Sequence, residues 1–383
     1  MRASQEPTGQ RTGRRLSGSM AGLAALAGLA GLAWAARDVP AALGGRLAGV
    51  RAARAARSPQ FRDGVFHNRP GTPITAPAPD RNLIRELLLG KQKRRPNAPV
   101  PLVRPVAETS IDPARELNVI WYGHATTLIE IEGRRVLLDP VWSERCSPSS
   151  SLGPRRLHEP PVRLDELPRL DAILISHDHY DHLDMTTVRA LTARQSAPFL
   201  VPLGVGAHLD RWEVPADRIV ELDWAQTHRL AGLDITCTAA QHFSGRGLRR
   251  NGTLWSSWAV AGRQRKVYYT GDSGYFAGYA EIGAAHGPFD VTLMQIGAYD
   301  RAWPSIHMFP EEAVEAHVDL RGGLFVPVHW ATFNLALHDW SEPVDRLWAE
   351  AKARDVRLAV PRPGERVVVD DPPPVDGWWQ AIA

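Results

Sequence analysis

Cysteine is nearly absent from this chain. Its 383 residues contain two, Cys146 and Cys237, too few for a disulfide framework. Cys237 sits in the apolar stretch Asp234 to Gln241 and reads as a small buried hydrophobe. A dominant charge is also missing. The 45 basic and 42 acidic residues leave a formal charge of +3, which gives no basis for a nucleic-acid partner. No internal repeat is visible, and the apolar run Met20 to Ala36 falls short of a bilayer span. As a helix it would cover roughly 25 Å, against a hydrocarbon core of about 30 Å. What remains is an ordinary soluble composition, 44% apolar and 23% charged, long enough to bury one large core. Tryptophan is plentiful at 13 residues. Several, including Trp224, Trp255, Trp258, Trp330 and Trp340, fall near the stretches described next, as a filled core or an apolar substrate groove would require.

The chemistry concentrates in Ser176-His-Asp-His-Tyr-Asp-His-Leu-Asp184, directly after the apolar run Ala172 to Ile175. The run reads as a buried strand, and Met185, Val188 and Leu191 behind the motif are spaced for a helix with one buried face. Imidazole nitrogen and carboxylate oxygen suit zinc and similar divalent ions. His177 and His179 can face one ion, and Asp181 and His182 a second. Further candidates follow in order: His242 after the strand-like run ending at Gln241, Asp272 after Lys266 to Gly271, and His329 after Leu324 to Val328. Each stands just past a predicted strand, where open sheets place ligand sites.

His177-x-His179-x-Asp181-His182 resembles the signature of the metallo-β-lactamase superfamily. The resemblance implies an αββα sandwich with its metals at the edge between two sheets. It also implies a pair of zinc ions: His177, His179 and His242 on one, Asp181, His182 and His329 on the other, and Asp272 bridging. Several stretches are similar to the N-acylphosphatidylethanolamine-hydrolysing phospholipase D family and its bacterial relatives. They include Trp121 to Thr126, Asp139 to Arg145, Leu152 to Arg155, Gln241 to Gly247, Gly271 to Tyr275 and Pro310 to Ala313. This similarity covers roughly residues 60–365. It implies a phosphodiesterase of phospholipase D type acting on N-acyl-phosphatidylethanolamine-like lipids through a hydroxide held between the ions. Asp272 would orient that hydroxide, with Asp181 beside it, and Tyr180 and His307 are candidate substrate contacts. Two residues depart from the pattern: Asp178 stands where relatives usually carry Asn, and Phe309 replaces an Asn before Pro310. The competing reading is a metal-dependent lactonase or carboxylic-ester hydrolase using the same ligands. The metal set is common to both.

Four segments are expected. Residues 1–57 form a basic and apolar leader, with a weak twin-arginine element at Arg14-Arg15 and a possible amphipathic face carrying Arg51, Arg54 and Arg57. It would bring the enzyme to a membrane, the bacterial inner membrane, with both faces open as the location. Residues 58–115 are a Pro-rich arm with one helix from Arg81 to Leu89, residues 116–370 the catalytic domain, and residues 371–383 a C-terminal tail. Residues 140–162 form a long loop, and loops this long are usually functional. His124 lies on the turn after the first strand, Leu117 to Tyr122, as a hydrogen-bonding or outer-sphere residue.

Overall fold

Strands throughout the domain bury alternate side chains on opposite faces, and this alternation sets the layering. The structure is a computed structural model that describes residues 37–69, 82–105 and 116–383. The arm carries a hairpin of β1 (Phe61–Arg62) and β2 (Val65–Phe66). The first large sheet contains β3 (Leu117–Gly123), β4 (Thr126–Ile131), β5 (Arg134–Leu138), β6 (Ala172–Leu174), β7 (Phe199–Pro202) and β8 (Ile219–Leu222). The second contains β9 (Thr227–Leu230), β10 (Leu233–Thr238), β11 (Ser257–Ala261), β12 (Lys266–Tyr269), β13 (Phe289–Gln295) and β14 (Gly322–Val328). A late strand, β15 (Arg366–Val368), returns to the first sheet, whose order is β15-β3-β4-β5-β6-β7-β8; the second runs β14-β13-β12-β11-β10-β9. Helices α1 (Val39–Ala42), α2 (Gly49–Ala55) and α3 (Leu83–Leu89) precede the sheets. Then come α4 (Met185–Arg194), α5 (Gly206–Arg211), α6 (Gly278–His286), α7 (Pro310–Asp319) and α8 (Glu342–Ala353).

Val119, Trp121, Ile129, Val136 and Leu138 of the first sheet share a core with Ile235, Trp258, Val260 and Val267 of the second. The intervening residues Ile120, Tyr122, Leu128 and Leu137 instead pack with Val188 and Leu191 of α4 and Leu209 of α5. Helices therefore cover the outside and the sheets meet inside, the αββα sandwich expected above. Within each sheet, hairpin-connected strands pair antiparallel, as β4 with β5 and β11 with β12 do. Strands joined through helices pair parallel, as β13 and β14 do across α7, because a parallel return needs a crossover.

The N-terminal and C-terminal segments are built into this body. Asn97 of the arm donates to the carbonyl of Ala383, and its own N–H donates to Ile382. Trp378 and Trp379 of the tail are buried against Trp330. The apolar run Met20 to Ala36 and Arg14-Arg15 lie outside the described residues. Among the described residues, no helix is long and apolar enough to cross a membrane.

The arginine-bearing end of the expected leader does not present all its charges to a membrane. Arg51 of α2 pairs with Asp210 at 2.7 Å and with Glu221 at 2.9 Å, and Glu221 is 1% exposed. Arg54 reaches the side-chain oxygen of Gln226, and Ala55 is fully buried. Removing one partner of such a contact leaves a buried carboxylate undercompensated. We therefore expect Arg51→Ala to lower unfolding free energy by about 1–3 kcal/mol, read as a lower urea midpoint. Truncation to residues 58–383 should lower it at least as far. A truncated protein with the full-length midpoint would show that residues 37–57 do not stabilise the domain.

Candidate metal centre

The side chains singled out in the sequence converge at one edge of the sandwich. His177, His179, Asp181 and His182 follow β6 of the first sheet. His242, Asp272 and His329 follow β10, β12 and β14 of the second. Strand ends from both sheets thus point seven polar side chains into one volume, six of them buried and His179 partly so.

Two groups form there. In one, the Nδ1 of His179 lies 2.9 Å from the Nε2 of His177 and 3.3 Å from the Nε2 of His242. The Oδ2 of Asp272 is 3.8 Å from each of those Nε2 atoms. In the other, the Nε2 of His182 is 3.1 Å from Asp272 Oδ2 and 3.5 Å from Asp181 Oδ2. The Nε2 of His329 is 3.1 Å from Asp272 Oδ1 and 3.2 Å from Asp181 Oδ2. Ligands about 2.1 Å from a tetrahedral ion sit roughly 3.4 Å apart, so both spacings suit one cation. Asp272 faces both groups, the place a bridging ligand needs. Buried atoms His182 Nε2, Asp272 Oδ1, His329 Nδ1 and His307 Nδ1 have no hydrogen-bond partner. Buried polar atoms are rarely left so, and the donor set of neutral nitrogens and carboxylate oxygens fits divalent cations.

Two of the remaining ring nitrogens are held in place. His182 Nδ1 lies 2.7 Å from Asp139 Oδ2, which also accepts from the Ser176 hydroxyl at 2.5 Å and from the Tyr269 hydroxyl. His242 Nδ1 donates to the carbonyl of Ile306 at 2.8 Å. In each case the Nδ1 bond leaves Nε2 as the free lone pair, the outer-sphere arrangement that orients metal-binding imidazoles. The backbone of His242 is clamped by Asn68 of the arm, whose side chain accepts from the His242 N–H at 3.0 Å and donates to its carbonyl at 2.7 Å.

Sequence reasoning missed two contributors: Asp139 was named only as the start of a stretch similar to the family, and Asn68 lay unremarked in the Pro-rich arm. His124, expected as a hydrogen-bonding or outer-sphere residue, places its Nε2 2.8 Å from Asp181 Oδ2, within the group of Asp181, His182 and His329. Left-handed backbone at His124 (φ 51°), Asp139 (φ 37°) and His329 (φ 65°) was the structural sign, because such conformations cluster at functional sites. Tyr180, a candidate substrate contact, gives its hydroxyl to the carbonyl of Arg246 at 2.7 Å, with that guanidinium 4.0 Å above its ring. His307 does join the cluster, its Nδ1 3.9 Å from Asp272 Oδ2.

Burial pushes His177, His179 and His242 down, toward the neutral form a metal needs. Burial alone would raise Asp181 and Asp272, but the imidazoles around them, His182 foremost, outweigh it and hold both ionised. His182 and His329 run the other way. Burial would lower them, but Asp272 and Asp181 lift His182 well above its usual value and His329 to about 9. Cation binding at this half must displace protons, so it strengthens as pH rises and fails as pH falls.

Metal-loaded protein is expected to hold about two transition-metal ions per chain by elemental analysis, and to lose the ion beside His182 and His329 first on acidification. Asp139→Ala should weaken metal binding about 10–100-fold in a chelator competition. Affinity within threefold of wild type would remove Asp139 from the centre.

Comparison with known proteins agrees with this geometry. A family model described as a beta-lactamase superfamily domain matches residues 134–330. An uncharacterized protein of Mycobacterium tuberculosis is 52% identical, over 96% of this chain and 99% of its own length. The N-acyl-phosphatidylethanolamine-hydrolyzing phospholipase D 1 of Caenorhabditis elegans is 39% identical over 252 residues, 62% of this chain and 71% of that protein. Among solved structures, a metallo hydrolase of Ignicoccus hospitalis superposes with a TM-score of 0.51 at 22% identity, covering 66% of this chain and 97% of the other. The chain belongs to the β-lactamase superfamily, and its two-sheet sandwich is the metallo-β-lactamase fold.

Proposed function

We propose that this chain is a metal-dependent hydrolase of phospholipase D type, acting on N-acyl-phosphatidylethanolamine-like phosphodiesters. The observation that carries the reading is the likeness to the Caenorhabditis elegans phospholipase D, 39% identical over 252 residues. His177, His179 and His242 would hold one cation, Asp181, His182 and His329 the other, and Asp272 both. When bound, a pair of divalent cations acidifies water and stabilises charge on a phosphoryl oxygen; zinc fits the ligand types best.

The chain's own residues supply orientation, neutral ligands and a dry surround. Asp139 and the Ile306 carbonyl fix which nitrogen of His182 and His242 faces the centre. Asp181 is held in place by His124, whose Nε2 lies 2.8 Å from its Oδ2. Burial pushes His307 down to about 3. It therefore faces the site as a neutral imidazole, suited to donating an N–H to a substrate oxygen. The leaving alcohol then takes a proton delivered from water. Net hydrolysis adds water across one P–O bond: the hydroxyl stays on phosphorus and the proton leaves with the head-group alcohol.

A phospholipid substrate resides in a bilayer, and we place the protein at a membrane surface for that reason. Leu248 is fully exposed, in the same loop as His242 and beside Arg249 and Arg250. An apolar tip flanked by cations suits the boundary of an anionic membrane.

Incubating metal-loaded enzyme with an N-acyl-phosphatidylethanolamine in mixed micelles should release phosphatidic acid and an N-acylethanolamine, followed by mass spectrometry. In 18O water the label should appear in the phosphatidic acid. Asp272→Asn should lower turnover at least about a hundredfold, the scale of one lost preorganised charge contact. Turnover of a lactone panel with no cleavage of the phosphodiester would reject the reading in favour of carbon-centred hydrolysis.

A further inference from the structure

We propose that Arg156 forms a second anion-binding subsite beside the metal centre, one that takes a carboxylate or phosphate-monoester group. A cleft of about 730 Å³ opens between arm residues 95–99 and the long loop of residues 142–160. Arg95, Arg155 and Arg156 line it, together with Glu144 and Glu159. Glu144 is neutralised by Arg155. Leu157 also lines a narrow cavity shared with His329 and Phe333, so the cleft and the metal centre have a common wall. The same link runs through the aromatic rings. The Arg156 guanidinium sits 5.5 Å from the Phe333 ring centre, and that ring is 5.2 Å from the ring of His124.

Arg156 is the guanidinium of this cleft that the fold half-buries and leaves short of partners. It makes one long hydrogen bond, from Nη1 to the carbonyl of Trp142 at 3.3 Å. Its Nε is buried with no partner. Among the described residues no carboxylate lies within ion-pair distance of it, and burial pushes it down to about 10 despite Asp184. A buried Nε without a partner and a guanidinium without a carboxylate beside it are rare in a packed structure, so packing alone does not explain them. A planar fork with spare donors matches the paired oxygens of a carboxylate or phosphate. The group could belong to the substrate, as a second anion a few bonds from the scissile phosphate, or to a free anion. The first source rests on the phosphodiesterase reading; the second does not.

The test compares full-length, metal-loaded wild type with Arg156→Gln and Arg156→Lys. One arm measures kcat/KM on two lipids with matched chains, an N-acyl-phosphatidylserine and an N-acyl-phosphatidylethanolamine. Wild type should favour the carboxylate-bearing lipid by at least about tenfold, the worth of one charge-assisted hydrogen bond. That ratio should fall to near one in Arg156→Gln and lie between in Arg156→Lys, which keeps the charge and loses the fork. The other arm titrates inorganic phosphate calorimetrically. Binding at least about tenfold tighter in wild type than in Arg156→Gln, with no lipid preference, assigns the subsite to a free anion. The urea midpoint separates ligand recognition from packing: Arg156→Gln should be as stable as wild type or more so. Equal lipid ratios and equal phosphate affinities in wild type and Arg156→Gln overturn the proposal, as does a destabilised variant with neither difference. Should Arg156→Gln not fold, Arg156→Lys with unchanged lipid ratio and phosphate affinity overturns it. Wild type that cleaves neither lipid defeats the phosphodiesterase reading, and the phosphate arm then decides the subsite alone.

Discussion

One buried carboxylate ties the two sheets to the candidate metal centre. Asp139, at the end of β5, takes donors on both oxygens: Oδ1 from the Ser176 N–H at 2.7 Å, and Oδ2 from the Ser176 hydroxyl, His182 and Tyr269. Ser176 and His182 belong to the turn after β6 of the first sheet, while Tyr269 ends β12 of the second, three residues before Asp272. The bond to His182 decides which of its nitrogens faces the centre. The bond to Tyr269 fixes the strand end that delivers Asp272. Three donors on one oxygen also disperse its negative charge, so the carboxylate stays buried without a cation of its own. Loosening Asp139 would disturb both groups of candidate ligands, although it belongs to neither.

The candidate ligands were legible in the sequence because strand ends and ligand chemistry leave a local signature. A strand-like run followed within three residues by His or Asp occurs four times in order, and the structure brings all seven side chains together. Asp139 and Asn68 left no such trace. Asp139 precedes a proline and looks like hairpin punctuation. Asn68 acts through both atoms of an amide on the backbone of a residue far along the chain. His124 earns its place through a left-handed turn and a contact with Asp181, neither visible in composition. Positions that act through another residue's backbone or second nitrogen are set by tertiary approach, which a single sequence does not encode locally.

Segment boundaries were the least legible part for a related reason. Alanine and arginine at helical spacing describe a membrane-facing helix and a docked surface helix equally well. What distinguishes them is the complementary surface: here Glu221, which also accepts from the Gly204 and Gly206 N–H groups, and Asp210 on α5. Both arginines of that helix, Arg51 and Arg54, have partners on the domain. The tail follows the same logic, since Trp378 and Trp379 complete a tryptophan cluster with Trp330, adjacent in sequence to His329.

Asp178, which stands where relatives usually carry Asn, puts a carboxylate next to His177 and His179. Its contacts point elsewhere. Oδ1 accepts from the Gly245 N–H at 2.7 Å and Oδ2 lies 3.2 Å from the Nε2 of His208 on α5. Burial would raise this carboxyl, but His208 and then His179 and Arg246 hold it ionised. Arg246 completes the lock, bonding the carbonyls of Asp178, Leu183 and Ala42 while its guanidinium lies over Tyr180 and Trp212. The charge at 178 is thus held by the glycine turn that follows His242 and by His208, while also acting on its neighbour His179. An Asn could accept from Gly245 equally well, but its amide would attract a histidine only as a dipole. The aspartate makes α5, the turn after β6 and the turn after β10 one electrostatically bound unit. It also passes the cost of its burial to Arg246, whose own position is secured by the carbonyl of Ala42 in the N-terminal segment.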